Sequence, residues 1–229
     1  MHLILFDIDG TILSSNGQAG RCLLDAMREV FGTIAFPEGY TFAGKTDPLI
    51  VRDLMVAAGF DDDEIERRMP AVKDIYFERV CNGLLEREKM TVFSGVSELL
   101  DGFLDETSVH LGLVTGNWER SGRAKLDCVG FNHYFEFGGF GDDGADRRLL
   151  PAAAIGRARE SIGSHLERQR SIIIGDTLHD IDCAHANGMR VIAVATGSTA
   201  AEDLERAGAD LVVETLEQLD IAVVLDMCR

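Results

Sequence analysis

Short apolar runs alternate with amphipathic stretches along the chain after about residue 90. Each run is short and mainly apolar, as expected for parallel strands that helices cover on both faces. The predicted strands are Leu3–Phe6, Val109–Val114, Tyr134–Phe137, Ser171–Ile174, Val191–Ala195 and Leu211–Val213. The predicted helices lie near residues 95–105, 118–128, 150–162, 179–187, 200–207 and 217–227. This alternation predicts an α/β fold with a Rossmann-like parallel sheet and helices on both faces.

The segment between the first two strands has a different pattern, because helical periodicity follows helical periodicity without a convincing strand. The predicted helices there lie near residues 18–30, 47–58, 62–69 and 71–87. We therefore predict an all-helical cap at residues 15–89, inserted into an α/β core of residues 1–14 and 90–229, with the sheet resuming near Val92. An insert after the first strand is well placed to cover the strand ends, where open α/β sheets bind ligands.

Composition and charge narrow the classes of partner. The 229 residues are 46% hydrophobic, which suits a globular protein with a substantial core. A formal net charge of −17 disfavours nucleic acid and acidic membranes as partners, because both carry phosphate. No apolar run reaches membrane-spanning length and no signal-peptide pattern is present, so the expected location is the cytoplasm. The sequence leaves the oligomeric state open.

The candidate chemistry begins at the end of the first predicted strand, where Asp7 and Asp9 are separated by one residue. Because side chains alternate along a strand, both carboxylates point the same way. They would repel each other unless a cation, a shared proton or a reacting group lies between them. Gly10 then permits a tight turn and a close approach to a ligand.

Two further strands also end in polar residues. Thr115 follows the second strand, and the free backbone N–H groups of Gly116 and Asn117 before the next helix suit an anion. Asp176 follows the strand Ser171–Ile174, with Asp180 four residues further on. Clustered carboxylate oxygens are the ligands that Mg²⁺ prefers. Taken singly, these residues also suit ordinary turns and helix caps.

If the anion bound at these strand ends is a phosphoryl group in transfer, the site also needs a positive side chain, because a metal alone does not neutralise the phosphoryl oxygens. The candidates are Arg147, Arg148 and Lys125. Arg147 follows the loop at residues 138–146 and precedes a helix, at the same predicted edge as the other motifs, so it is preferred. Lys125 lies well inside a predicted helix and is expected to be a surface or packing residue.

Together these motifs resemble the haloacid dehalogenase superfamily, in its phosphoglycolate-phosphatase-like branch with a helical cap. The resemblance spans the whole chain, but the lysine and proline usual in the third motif are absent, so Arg147 would have to substitute. The matching motifs are Asp7-Ile8-Asp9-Gly10-Thr11, Thr115-Gly116-Asn117 and Gly175-Asp176-Thr177-Leu178-His179-Asp180.

The resemblance implies a Mg²⁺-dependent phosphatase that acts on a small phosphorylated metabolite through an aspartyl-phosphate on Asp7. Asp9 would act first as the acid and then as the base. Asp7, the backbone carbonyl of Asp9 and Asp176 would hold Mg²⁺, with Asp180 in direct contact with the ion or just behind it.

The phosphoryl oxygens would be held by Thr115, by the N–H of Asn117 and by Arg147. A sugar phosphomutase of the β-phosphoglucomutase type shares the two aspartates and the helical cap, and remains the main alternative.

A second reading comes from residues 39–46, which fit the nucleotide-binding pattern GxxxxGK[ST]. A P-loop needs a strand that runs directly into the first glycine. Here Pro37 and Glu38 interrupt the short run before Gly39. Asp47 and Pro48 also suit the start of a new helix. The run Gly44-Lys45-Thr46-Asp47 is therefore interpreted as a cap loop that reaches the active site and contacts the substrate, with Lys45 as the residue to test for specificity.

Overall fold

The computed structural model of the chain describes residues 1–163, 166 and 170–229. Six strands form a parallel sheet in the order β5-β4-β1-β6-β7-β8, and two short strands, β2 and β3, pair antiparallel outside it. The strands are β1 (His2–Phe6), β2 (Leu13–Ser14), β3 (Thr91–Val92), β4 (Val109–Val114), β5 (Phe137–Gly139), β6 (Ser171–Gly175), β7 (Arg190–Val194) and β8 (Leu211–Val213). The predicted parallel α/β fold is confirmed.

The helices fall into a group before β3 and a group that alternates with the later strands. The first group is α1 (Gln18–Phe31), α2 (Asp47–Ala57) and α3 (Asp62–Arg79). The second group is α4 (Val96–Leu104), α5 (Glu119–Val129), α6 (Leu150–Ile162), α7 (Leu178–Ala186), α8 (Ala201–Arg206) and α9 (Ile221–Met227).

Alternating side chains of the central strand enter two separate apolar cores. Ile4 and Phe6 pack with residues of α4, α5 and α9 on one face of the sheet. Leu3 and Leu5 pack with residues of α6, α7 and α8 on the other. Because both faces are covered, the buried part of β1 from Leu3 to Phe6 is apolar throughout, which explains the continuous apolar run in the sequence.

Three local predictions need correction. The strand predicted at Tyr134–Phe137 begins only at Phe137, because residues 132–134 form a 3-10 turn that turns Phe135 inward against Phe6. The sheet does not resume near Val92, since this residue pairs with Leu13 in the small β2–β3 ribbon. The main sheet resumes at β4.

The helices predicted at residues 62–69 and 71–87 are one helix, α3, which runs through Pro70 to Arg79 and is followed by a π-helical turn. Proline inside a helix costs on the order of 3 kcal/mol. The apolar face formed by Ile65, Val72 and Tyr76 is buried on both sides of the proline, and this packing offsets the cost.

The first group of helices has an apolar cluster of its own, separate from both faces of the sheet. Leu23, Leu54 and Tyr76 represent α1, α2 and α3 in this cluster, and Trp118 joins it from the start of α5. Within the described residues, no helix is long and apolar enough to cross a membrane.

Candidate active site

The carboxyl ends of three adjacent strands open into one cavity of about 440 Å³. Asp7 follows β1, Thr115 follows β4 and Asp176 follows β6, and β1 lies between the other two strands. The parallel sheet therefore brings together three motifs that are far apart in the sequence. The predicted site residues that line the cavity are Asp7, Asp9, Lys45, Thr115, Gly116, Asn117, Arg147 and Asp176.

Three carboxylates form an acidic group at this edge, namely those of Asp7, Asp176 and Asp180. One oxygen of each lies within 4.8 Å of the others, and all three residues are buried. Burial raises the pKa of Asp7 to about 6, against the opposing charge of Arg147. Burial raises the pKa of Asp176 to about 8, and the charges of Asp180 and Asp7 add to this shift. Carboxylates held this close favour a cation between them.

Two glycines, Gly10 and Gly197, pack so closely against the carboxylate of Asp176 that no larger residue fits at either position. A Cβ atom on Gly197 would lie 1.7 Å from Oδ2 of Asp176, and one on Gly10 would lie 2.2 Å from the same atom. Gly10 also has a φ of 90°, a backbone angle that residues other than glycine rarely adopt. Thr11 donates a hydrogen bond of 3.1 Å from Oγ1 to Oδ1 of Asp176. The acidic group is thus rigidly placed, and its oxygen donors suit Mg²⁺.

Arg147 is the cation of this acidic group. Its Nη2 lies 2.9 Å from Oδ2 of Asp7 and 2.5 Å from Oδ1 of Asp180. Burial opposes its charge, but Asp180 and Asp7 outweigh that effect and raise the pKa of the guanidinium. Its Nε is buried and has no hydrogen-bond partner among the described residues. Arg148 is instead exposed and pairs with Asp146, so the geometry separates the two arginine candidates.

Asp9 pairs with a lysine and an asparagine instead of joining the acidic group. Its Oδ2 accepts hydrogen bonds from Nζ of Lys125 at 2.6 Å and from Nδ2 of Asn117 at 2.8 Å. Asp9 is not part of the group of side-chain carboxylates found at Asp176, so its predicted role in metal binding rests on its backbone carbonyl alone. Nδ2 of Asn117 also donates to Oγ1 of Thr115 at 2.7 Å.

The expectation that Lys125 is a surface or packing residue is wrong. Its side chain is only 5% exposed, and its Nζ contacts both Asp9 and Oδ1 of Asn117 at 2.6 Å. The face of α5 that turns inward carries Ser121, Gly122 and Leu126 as well as Lys125. A lysine on the same helical face as Ser121, Gly122 and Leu126 is the signal that the sequence analysis missed.

The loop before α2 lies directly on the strand ends. The carbonyl oxygen of Lys45 would be 2.2 Å from a Cβ atom on Gly116, so glycine is required for this approach. The N–H of Asp47 donates to the carbonyl oxygen of Gly116 at 2.8 Å, and Thr46 donates from Oγ1 to the carbonyl oxygen of Ala145 at 3.0 Å. The helical segment is thereby tied to the α/β part beside the cavity.

Asp47 is a buried residue of the cavity that the sequence analysis did not single out. Its Oδ2 accepts hydrogen bonds from the N–H of Trp118 at 2.9 Å and from Oγ of Ser121 at 3.3 Å. Burial raises its pKa to about 6, with the charge of Lys125 opposing the shift. Asp47 thus caps α5 from the helical segment, and the run Gly44-Lys45-Thr46-Asp47 contained the signal.

Lys45 lines the cavity, but its ammonium is paired within the helical segment. Nζ lies 2.6 Å from Oδ2 of Asp53 and 4.3 Å from the centre of the Tyr40 ring. No strand runs directly into the loop at residues 39–46, because the described residues 32–38 before it form none, and α2 begins with Thr46 as its cap. The strand, loop and helix of a nucleotide-binding P-loop are therefore absent from this segment.

The parallel sheet and the polar strand ends define an α/β protein with an acidic site at the carboxyl edge of its sheet. The profile of the family described as "Haloacid dehalogenase-like hydrolase" matches residues 4–194. This match covers most of the chain, so the protein belongs to the haloacid dehalogenase-like hydrolases, as its motifs predicted.

Similar proteins include phosphatases and a mutase. A phosphoglycolate phosphatase of Pseudomonas fluorescens is 25% identical over 226 residues, which cover 95% of this chain and 78% of that protein. A predicted phosphatase of Clostridium acetobutylicum has a TM-score of 0.67 at 20% identity and covers 97% of this chain and 98% of that one. A β-phosphoglucomutase of Clostridium difficile has a TM-score of 0.73 at 16% identity, with 100% and 97% covered. The two structural matches show the shared fold.

Proposed function

We propose that this protein is a Mg²⁺-dependent phosphomonoester hydrolase that acts on a small phosphorylated metabolite through an aspartyl-phosphate on Asp7. The observation that carries the proposal is the position of Asp7, which ends the central strand between a buried arginine at 2.9 Å and two further buried carboxylates. This arrangement supplies a nucleophile, a site for a divalent cation and a positive group for the phosphoryl oxygens.

In the first half of the reaction, a carboxylate oxygen of Asp7 attacks phosphorus while the bond from phosphorus to the ester oxygen breaks. Asp9 gives its proton to the departing oxygen. In the second half, water attacks the phosphorus of the aspartyl-phosphate and gives a proton to Asp9, while the bond from phosphorus to the Asp7 oxygen breaks. Inorganic phosphate leaves and both aspartates return to their starting states.

The acidic group is proposed to hold Mg²⁺ through Asp7 and Asp176, with Asp180 at or behind the ion and the backbone carbonyl of Asp9 as a further ligand. Bound there, Mg²⁺ would neutralise negative charge on the phosphoryl oxygens and on the carboxylates. The rigid surroundings of Asp176 and its raised pKa support this assignment, since both fit a site built for a cation.

The phosphoryl oxygens are proposed to lie against Thr115, the backbone N–H groups of Gly116 and Asn117, and Arg147. The unpartnered Nε of Arg147 supports this placement, because a buried N–H group without an acceptor is costly and a phosphoryl oxygen would satisfy it.

The helical segment at residues 15–89 is proposed to act as a cap on the α/β core of residues 1–14 and 90–229. Its own apolar cluster and its contacts through Thr46 and Asp47 support this role. Lys45 would meet the part of the substrate beyond the phosphate, after exchanging its contact with Asp53 for one with the substrate.

The substrate is proposed to be a small phosphomonoester such as phosphoglycolate or a sugar phosphate. Similarity to a phosphoglycolate phosphatase at 25% identity supports the first, and helical caps of this kind suit both. The likeness to β-phosphoglucomutase concerns the fold and does not distinguish hydrolysis from transfer between sugar positions. Sugar phosphates should therefore be tested for both products.

The test is a screen of phosphomonoesters with Mg²⁺, combined with trapping of the phosphorylated enzyme. We expect release of inorganic phosphate, inhibition by beryllium fluoride with Mg²⁺, and a phosphorylated peptide that contains Asp7 by mass spectrometry after rapid acid quenching. The variant Asp7→Asn should lose all three, whereas Asp25→Asn, which alters an exposed aspartate, should keep them. Phosphate release that persists in Asp7→Asn would overturn the proposal.

A further inference from the structure

Two buried cations at the site form ion pairs with different carboxylates. Nη2 of Arg147 lies 2.9 Å from Oδ2 of Asp7 and 2.5 Å from Oδ1 of Asp180. Nζ of Lys125 lies 2.6 Å from Oδ2 of Asp9. Arg147 already supplies the positive charge that the transferring phosphoryl group needs, so Lys125 is a second cation that the proposed chemistry does not use.

The contacts of Lys125 point to the side chain of Asp9 rather than to the phosphoryl site. Its Nζ donates to Oδ2 of Asp9 and to Oδ1 of Asn117. Asn117 in turn donates from Nδ2 to the same Oδ2 of Asp9, at 2.8 Å. The three side chains therefore form a closed ring of hydrogen bonds, in which Oδ2 of Asp9 accepts one hydrogen bond from Lys125 and one from Asn117.

Within this ring, Lys125 is buried whereas Asp9 is accessible from the cavity. The side chain of Lys125 is 5% exposed, whereas that of Asp9 is 41% exposed and lines the cavity. Both hydrogen bonds that described residues donate to the side chain of Asp9 end on Oδ2, which leaves Oδ1 as the oxygen that can exchange a proton with a bound molecule. Without the lysine, the carboxylate of Asp9 would be free to rotate about its side-chain bonds.

We propose that Lys125 is a positioning residue that, together with Asn117, holds Asp9 by Oδ2 so that Oδ1 faces the leaving oxygen of the substrate. The inference rests on the proposed function, because it assigns a role to Lys125 only if Asp9 transfers protons. Lys125 does not touch the phosphoryl group. It acts on the reaction through Asp9 alone.

The proposal predicts a loss that depends on the leaving group. In Lys125→Met, kcat/KM for an alkyl phosphate should fall by roughly 10- to 100-fold, since an alkoxide must be protonated as it leaves. For p-nitrophenyl phosphate, whose leaving group needs little protonation, we expect a fall of less than about threefold. Lys89→Met makes the same change at an exposed lysine outside the cavity and should leave both values unchanged.

A double-variant cycle separates this role from a general structural one. If Lys125 acts through Asp9, adding Lys125→Met to Asp9→Asn should change the ratio of the two kcat/KM values by less than about twofold. Inhibition by orthovanadate should stay within about threefold of wild type in Lys125→Met, because the phosphoryl site is untouched. Lys125→Ala, which also removes the hydrogen-bond donor, replaces Lys125→Met in every measurement if the latter does not fold.

Two results would overturn the proposal while leaving the proposed function intact. One is an equal loss on both substrates with weakened vanadate inhibition, which would make Lys125 a phosphoryl-binding cation. The other is a full additional loss from Lys125→Met in the Asp9→Asn background. If the wild-type enzyme releases no phosphate and traps no phosphate on Asp7, the proposed function fails and this proposal fails with it.

Discussion

Asp7 and Asp9 are two residues apart at the end of one strand, yet their surroundings are opposite. The side chain of Asp7 is 5% exposed. It belongs to a group of four residues that we call the nucleophile side, formed by Asp7, Arg147, Asp176 and Asp180. The side chain of Asp9 is 41% exposed and lies in the acid–base side, formed by Asp9, Asn117 and Lys125.

The difference suits the two kinds of chemistry proposed. A group that holds a cation and stabilises charge on a phosphoryl group gains from burial, because electrostatic interactions are stronger away from water. A group that must take a proton from water and give one to a leaving oxygen gains from contact with the cavity. Each side therefore has its own cation, and the two can be perturbed separately.

The largest effect is expected from the cation of the nucleophile side. Arg147→Met should lower kcat/KM by roughly 10³-fold on every phosphomonoester, because the lost contact is made to the transferring group itself. It should also destabilise the metal-free protein by about 3–5 kcal/mol, since it leaves Asp7 and Asp180 buried without their partner. Steady-state kinetics and thermal unfolding measure the two effects.

The neighbouring arginine provides the control for this variant. Arg148→Met removes the same side chain from an exposed position that pairs with the exposed Asp146, and it should be close to wild type in both measurements. Wild-type kinetics in Arg147→Met, or a comparable loss in Arg148→Met, would contradict the assignment of Arg147 to the nucleophile side.

The acid–base side should show a smaller and more selective effect. Asp9→Asn should lower kcat/KM for alkyl phosphates by roughly 10²-fold or more and for p-nitrophenyl phosphate by much less, because only the first needs a proton at the leaving oxygen. The affinity for Mg²⁺, measured by calorimetry, should change little, since the side chain of Asp9 faces Lys125 and Asn117. An equal loss of kcat/KM on both substrates, together with weakened Mg²⁺ binding, would show that Asp9 belongs functionally to the nucleophile side.

Protons and Mg²⁺ should compete on the nucleophile side. Burial raises the pKa of Asp176 to about 8, so below this pH the ion must displace a proton. Mg²⁺ affinity in titrations should therefore rise by roughly 10- to 50-fold from pH 6 to pH 8. An affinity that is flat over this range would show that Asp176 is already ionised without the metal.

The metal-free protein should show the opposite trend in stability. A carboxyl group whose pKa is higher in the folded than in the unfolded chain makes the folded state bind more protons between the two values. For Asp176 this window runs from about pH 4 to about pH 8, and stability should fall as the pH rises through it. Saturating Mg²⁺ should remove most of this fall, and Asp176→Asn should lack its contribution with or without Mg²⁺.

The sequence predicted the sheet and the residues at its strand ends well, because both depend on local patterns. A continuous apolar run identifies a buried strand, and the residue after it lies at the edge where ligands bind. Asp7, Thr115 and Asp176 follow β1, β4 and β6 as predicted, and these strands are neighbours in the sheet.

The place of Lys125 in the site and the role of Asp47 within its loop were not predicted, because both depend on packing between distant segments. Lys125 occupies an ordinary helical position, and only the rotation of α5 against the sheet turns it toward Asp9. Asp47 looks like a helix start, and only the docking of α2 reveals that it caps α5. Pro70 was taken as a helix end because local propensity omits the tertiary packing of α3.

The smallest effect concerns the long-range field, which distinguishes both sides of the site from the surface around them. The formal net charge of −17 should slow the approach of a phosphate dianion, whereas Arg147 attracts it only at short range. The Debye length shrinks from about 30 Å at 0.01 M salt to about 10 Å at 0.1 M, which screens distant surface carboxylates more than contacts inside the cavity. At saturating Mg²⁺, kcat/KM for an anionic phosphomonoester should therefore stay level or rise by up to about threefold over this range. The same series on Arg147→Met should keep this salt dependence at a much lower rate, because the lost contact is local. A steep fall with salt in the wild-type enzyme would mean that a positive surface around the cavity outweighs the net charge.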